Sequence, residues 1–247
     1  MTHWLLPKRG VQTNADAVKL FCLPQAGMGA AVFHAWSERL APHVQVLPVE
    51  LPGHASRMRE PRTTDLCQLS CQIVDALASS FTAGRYALFG HSMGAWVAWE
   101  VLQELSRRQL PLPLRLYVSG NRAAALSGAE HDLDATRLHT LEADAFWQAF
   151  ERRYGANPQL AEPKIRAVVY PMLKDDFILV ETYKVMTHIL LRTHSNVFDS
   201  AACLCLLACS PHFKIMHDGT ALLCCSTRAS CRSTSAATAD YRCILFD

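Results

Sequence analysis

At 247 residues, half of them hydrophobic and 19% charged, the chain has the composition of one larger globular domain and is too apolar for a disordered one. A formal net charge of +2 supplies none of the strong basic field that nucleic acid or an anionic membrane surface would attract, so no nucleic-acid partner is expected. The N-terminal apolar stretch stops at Trp4-Leu5-Leu6, and the longest apolar runs, Ala201 to Ala208 among them, fall short of the ~18 residues that cross a bilayer, so a soluble, cytoplasmic protein with no membrane span is expected.

Val18-Lys19-Leu20-Phe21-Cys22-Leu23 is a short apolar run closed by Pro24-Gln25-Ala26-Gly27-Met28-Gly29, which reads as a buried strand entering a glycine-containing turn. A helix is expected from near Ala31. Val44 to Val49 reads as the second strand and Leu51-Pro52-Gly53-His54 as the loop after it. Thr64 is the expected cap of a second helix, along which Leu66, Leu69, Ile73 and Leu77 recur on one face. Tyr86 to Phe89 is a third strand, Ala95 to Arg107 a third helix, and Leu114 to Ser119 a fourth strand. Alternation at this interval implies right-handed crossovers and a mainly parallel sheet flanked by helices on both faces.

From Ala123 to about Tyr183 the pattern turns helical, notably over Ala143 to Tyr154 and Ile165 to Lys174. Such an insertion is placed to form a lid over the carboxyl ends of the strands. Phe146, Trp147, Phe150 and Tyr154 share helical spacing in it, which suits either the packing core of the lid or the wall of an acyl tunnel.

After Lys184 the character changes. Residues 185–247 contain no Glu, Gln or Trp and hold seven of the ten cysteines, the others being Cys22, Cys67 and Cys71. Helix and strand alternation is not legible there, and the break reads as a shifted reading frame, a misassigned exon boundary or a divergent terminus. Free thiols are the expectation for an intracellular chain. Cys203, Cys205 and Cys209 with His212 and His217 lack the paired C-x-x-C spacing of structural zinc sites, so neither a metal nor a cofactor is expected.

Gly90-His91-Ser92-Met93-Gly94 lies between the third strand and the third helix, which is the context that gives G-x-S-x-G its meaning. The serine must sit on a sharp, strained turn with its hydroxyl out of the sheet, and glycines on either side let strand and helix pass closely. The following helix aims its amides and positive dipole end at any anion formed beside Ser92. In an α/β-hydrolase the residue after the nucleophile, here Met93, supplies one oxyanion amide, and Gln25 or Ala26 is placed to supply the other.

Three segments carry a family resemblance: Leu20 to Gly27, Val49-Glu50-Leu51-Pro52-Gly53-His54 with Arg57, and Tyr86 to Ala95. Together they resemble the type II thioesterases that accompany polyketide and nonribosomal-peptide synthases, a group that includes the medium-chain thioesterases of fatty-acid synthesis. Leu173-Lys174-Asp175-Asp176-Phe177 and Glu181-Thr182-Tyr183 resemble the end of that family's helical lid. The resemblance implies a single α/β-hydrolase domain over 1–247, acting as a monomer. It implies hydrolysis of acyl groups from the phosphopantetheine arm of an acyl or peptidyl carrier protein, through an acyl-serine intermediate on Ser92.

The chain departs from the family pattern in two places. Gln25 stands where the family usually has His, a change that a backbone donor tolerates. The family's Gly-Asp turn and Gly-Gly-His-Phe segment are not present, which leaves Asp199 as the candidate carboxylate and His212, followed by Phe213, as the candidate base, with His217 a second choice. Serine needs a base to remove its proton and a carboxylate to orient that base. Two alternatives therefore stay open: an esterase or lipase-like serine hydrolase, and a catalytically impaired acyl- or carrier-binding homologue.

Overall fold

The alternation of the first strand decides the architecture, because it sends Leu20 and Cys22 to one face of the sheet and Phe21 and Leu23 to the other, and all four are buried. A sheet apolar on both faces must be covered on both. The structure, a computed structural model, describes residues 3–132 and 134–185. In them β1 (Val18–Leu23), β2 (Val44–Pro48), β3 (Tyr86–His91) and β4 (Leu116–Ser119) form one sheet in the order β2-β1-β3-β4. All three pairings are parallel.

On one face, a 3-10 turn at Ala30–Phe33 and α1 (His34–Leu40) cover Leu20, Cys22, Val46, Ala87 and Phe89, with Phe33 and Trp36 packed edge-on against Phe89. On the other face α2 (Leu66–Thr82) and α3 (Met93–Arg107) enclose Phe21, Leu23, Leu47 and Leu88. The apolar stripe expected on α2 is the buried one, since Leu66, Leu69, Ile73 and Leu77 are at most 3% exposed. Each such side chain contributes about 1.5–3 kcal/mol relative to exposure.

Two local expectations are corrected. The cap of α2 is Asp65 and not Thr64: the Asp65 carboxylate accepts the Gln68 amide at 2.8 Å, and a carboxylate at this end also complements the helix dipole. Helix α3 starts at Met93, two residues before the expected Ala95, because Ser92 already turns the chain.

The segment between β4 and residue 183 is helical, as expected, with α4 (Ala143–Tyr154) and α5 (Pro163–Thr182). Helix α5 extends well beyond the expected Ile165 to Lys174, from a proline at its first position, where the missing amide costs nothing. It also carries Pro171 in its interior. Leu138, Phe146, Trp147, Ala149, Leu173 and Phe177 form a separate apolar core under this layer. Among the described residues no helix is long and apolar enough to cross a membrane. Cys22, Cys67 and Cys71 are free thiols, and the strand expected over Ala201 to Ala208 lies outside the described residues.

Candidate active site at the strand-to-helix bend

Strand order reverses at β1: the chain goes outward to β2, then crosses back to β3 on the other side. In open parallel sheets the loops leaving the carboxyl ends at such a reversal part and leave a crevice. Here those loops are 24–29 after β1 and Ser92 after β3, and the register sets them side by side, with Leu23 opposite Gly90.

Ser92 adopts φ 52°, ψ −117°, a conformation that a side-chain-bearing residue holds only when its surroundings enforce it, at about 1–3 kcal/mol. The enforcement comes from two main-chain hydrogen bonds and one side chain. The Ser92 amide donates to the Ser119 carbonyl at 2.8 Å, the Ser92 carbonyl accepts the Ala95 amide at 2.9 Å, and it also accepts Asn121 Nδ2 at 3.0 Å. Two glycines make the bend possible. A methyl group on Gly90 would strike the backbone of Gly94 and Ala95, and one on Gly94 would strike the carbonyls of Leu23 and Pro24. The second contact shows that the β1 loop and the bend are packed backbone to backbone.

Ser92 itself is half-buried, not sealed in the core, and among the described residues its hydroxyl has no hydrogen-bond partner. Four main-chain amides of the bend and the β1 loop are likewise without an acceptor among the described residues: Met93 at the start of α3, and Gln25, Ala26 and Gly29 in the loop. The neighbouring Gly27 amide is taken, donating to Asp176 Oδ2 at 2.7 Å. Within the loop the Met28 amide is also taken, by the Gln25 carbonyl at 3.2 Å. The Gln25 side chain plays no part in this, which fits a role carried by backbone alone.

The nearby histidines are engaged elsewhere. His34 Nε2 lies 2.9 Å from the Leu6 carbonyl and His91 Nδ1 3.2 Å from Ser119 Oγ. Burial holds the His91 imidazole below its ordinary range, against the opposing effect of the Ser119 backbone. His54 is almost fully buried, with Nδ1 3.0 Å from the Pro52 carbonyl and Nε2 2.9 Å from Asp176 Oδ2. Asp199, His212 and His217 lie outside the described residues. So do Cys203, Cys205 and Cys209, and no cluster of metal-ligating side chains occurs among the described residues.

Sequence reasoning missed Ser119, Asn121 and the His54–Asp176 pair. Gly120-Asn121 directly after a strand is a turn signal that marks the first two. His54 and Asp176 were each noted, but nothing in linear spacing joins residues 122 positions apart.

Phe146 and Trp147 are at most 6% exposed and stack edge-on, and Phe150 and Phe177 complete the cluster, so these aromatics form the packing core of the lid.

Comparison with known proteins agrees with this geometry. A family model described as the thioesterase domain matches residues 18–213. Thioesterase PikA5 of Streptomyces venezuelae is 37% identical over 169 residues, covering 68% of this chain and 58% of that protein. The medium-chain S-acyl fatty acid synthase thioesterase of Rattus norvegicus is 36% identical over 111 residues, 44% of this chain and 42% of the relative. The chain thus spans about half the length of these two curated relatives. Among solved structures, the RedJ thioesterase from the prodiginine biosynthetic pathway of Streptomyces coelicolor superposes with a TM-score of 0.64 at 34% identity, covering 73% of this chain and 70% of that one. A parallel sheet with a serine held at positive φ between its third strand and the next helix, under a helical lid, is how this sequence builds the α/β-hydrolase fold, and the chain belongs to the thioesterase family.

Proposed function

We propose that the chain hydrolyses acyl thioesters, with Ser92 as nucleophile and the amides of Met93 and of Ala26 or Gln25 as the oxyanion hole. The observation that carries this reading is the strained Ser92 bend packed against the β1 loop, with Met93, Gln25 and Ala26 amides that have no acceptor among the described residues. Ser92 Oγ attacks the thioester carbonyl carbon while a base takes its proton. The oxyanion collapses, the thiolate leaves with that proton, and water repeats the sequence on the acyl-serine. Each oxyanion donor is worth about 3–4 kcal/mol of transition-state stabilisation.

His212 is the candidate base and Asp199 its orienting carboxylate, on the sequence alone. The substrate is an acyl group on the phosphopantetheine arm of an acyl or peptidyl carrier protein, in keeping with the named pathways of the relatives, and the reaction releases or edits chains in polyketide, nonribosomal-peptide or fatty-acid synthesis. The chain is read as one domain, with residues 123–183 as its lid.

The test uses the full chain with acyl-pantetheine and acyl-carrier thioesters, matched oxygen esters and a fluorophosphonate probe. Thioester turnover that exceeds oxygen-ester turnover is expected, and Ser92→Ala should lower it by a factor on the order of 10⁴ or more and abolish labelling. His212→Ala is expected to approach the same loss. Faster oxygen-ester turnover would move the protein to the esterases. Absence of both turnover and labelling would favour an impaired acyl- or carrier-binding homologue, the reading that the missing Gly-Asp and Gly-Gly-His-Phe segments motivate.

A further inference from the structure

Asp176 lies in the lid helix α5, yet its carboxylate oxygen Oδ2 is bonded to two groups of the sheet's loop layer. It accepts the Gly27 amide of the β1 loop at 2.7 Å and faces His54 Nε2, from the loop after β2, at 2.9 Å. Both side chains are nearly inaccessible, at 3% for His54 and 2% for Asp176.

Both ring nitrogens of the imidazole are engaged. Its Nδ1 faces the Pro52 carbonyl, which can only accept, and its Nε2 faces a carboxylate. Burial alone would pull His54 below its ordinary value, but the hydrogen bond and charge of Asp176, with smaller contributions from the Pro52 carbonyl and Glu50, outweigh it and raise it. Of the carboxylates around it, Glu50 is occupied by the Ala30 amide and Ser56 Oγ, which leaves Asp176 as the partner in contact.

A buried ion pair is a poor means of gaining stability, since desolvation consumes most of the attraction and an apolar pair of similar volume does as well. What such a pair does provide is direction. Here the direction falls on the loop after β1, which packs against the bend at Ser92. The Gln25 carbonyl accepts the Met28 amide at 3.2 Å, so one end of the turn is closed internally. Inside that turn the Gly27 amide is bonded, among the described residues, to Asp176 of the lid helix. Gly27 has φ 77° and meets the Leu173 side chain of α5, while Ala26 is packed against both the sheet core and the lid core. The peptide between these two points presents the Ala26 amide, and the one just before them presents that of Gln25.

We infer that Asp176, supported by His54, is a positioning residue: its Oδ2 holds the Gly27 amide and so aims the oxyanion-loop amides at the space beside Ser92. This rests on the reading of Ser92 given above, and the experiment separates the two.

In the full chain, Asp176→Ala is expected to lower kcat for thioester hydrolysis about ten- to a hundredfold, less than outright loss of a donor, with KM changed by less than about twofold. Asp176→Asn keeps an acceptor for Gly27 and should recover most of that loss. Site-resolved hydrogen exchange reads the same contact without activity. The Gly27 amide should be protected in the wild type and in Asp176→Asn but exposed in Asp176→Ala, while β1 amides stay protected in all three. Full kcat in Asp176→Ala, an Asp176→Asn variant as slow as Asp176→Ala, or a Gly27 amide that exchanges at the open-chain rate in the wild type would overturn the inference. Should Asp176→Ala fail to fold, Asp176→Asn and the wild-type exchange rate decide. Should the wild type hydrolyse no thioester, the proposed function fails and the exchange data alone judge the contact.

Discussion

The bend around Ser92 and the lid above it are held together by different means. At the bend, main chain meets main chain: Ser92 and Ser119 share a 2.8 Å hydrogen bond, and the Gly94 backbone lies directly on the carbonyls of Leu23 and Pro24. In the lid, side chains do the joining. Glu181 accepts the amides of Leu138 and His139 and the His139 ring, Arg153 reaches Asp134 and the Thr136 carbonyl, Arg166 reaches Glu151, and aromatic rings fill the centre. Main-chain contact leaves no room for substitution at a few positions, whereas side-chain contact spreads the load over many. The first arrangement is brittle and exact in its demands; the second is tolerant.

This contrast can be broken or sharpened by experiment. The largest effect should come from Gly94→Ala, whose methyl group meets backbone that cannot yield: a loss of more than about 4 kcal/mol, or failure to accumulate folded protein, is expected in urea unfolding. A wild-type midpoint for that variant would remove the distinction. Next comes Trp147→Ala, which empties the centre of the lid and should cost about 3–5 kcal/mol, with faster proteolysis within 134–182. Unchanged stability with an altered acyl-length preference would return Trp147 to the role of tunnel wall.

A smaller, pH-dependent effect is expected from His54. Its value is raised on folding, so its stabilising contribution is complete below the ordinary imidazole value of 6.5 and is lost as pH rises through the raised one. The gap in urea midpoint between wild type and His54→Gln should therefore hold below about pH 6.5 and narrow above it, and a gap that widens has the wrong sign. The smallest effect belongs to the adjacent aspartate. Asp175 pairs with Arg62 at 2.5 Å but both are about 30% exposed, and Asp175→Asn should cost less than about 1 kcal/mol.

The same contrast explains what could be read from the residues alone. Leu20 to Leu23, the α2 stripe and Gly90 to Gly94 were legible because period-two and period-3.6 burial and obligatory glycines leave marks at fixed short offsets. The boundaries of α4 were legible for the same reason. Helix α5 was underestimated: its last turns are specified by contacts with distant partners, Glu181 to Leu138 and Asp176 to Gly27. Asp65 displaced Thr64 as the α2 cap because either residue type can cap and only the local geometry chooses. At the candidate site, the bend at Ser92 followed from local pattern and Gly120-Asn121 signalled the turn beside it, while the His54–Asp176 pair is a tertiary contact that no spacing encodes.

Ala26 touches the sheet core below and the lid core above, one small methyl group shared by two hydrophobic bodies. Any tilt of α4 and α5 away from the strands must strip one side of that methyl or drag its peptide along. The position of the β1 loop and the seating of the helical layer on the sheet are thereby mechanically linked, and a larger residue at position 26 would wedge the two layers apart at the very point where they meet.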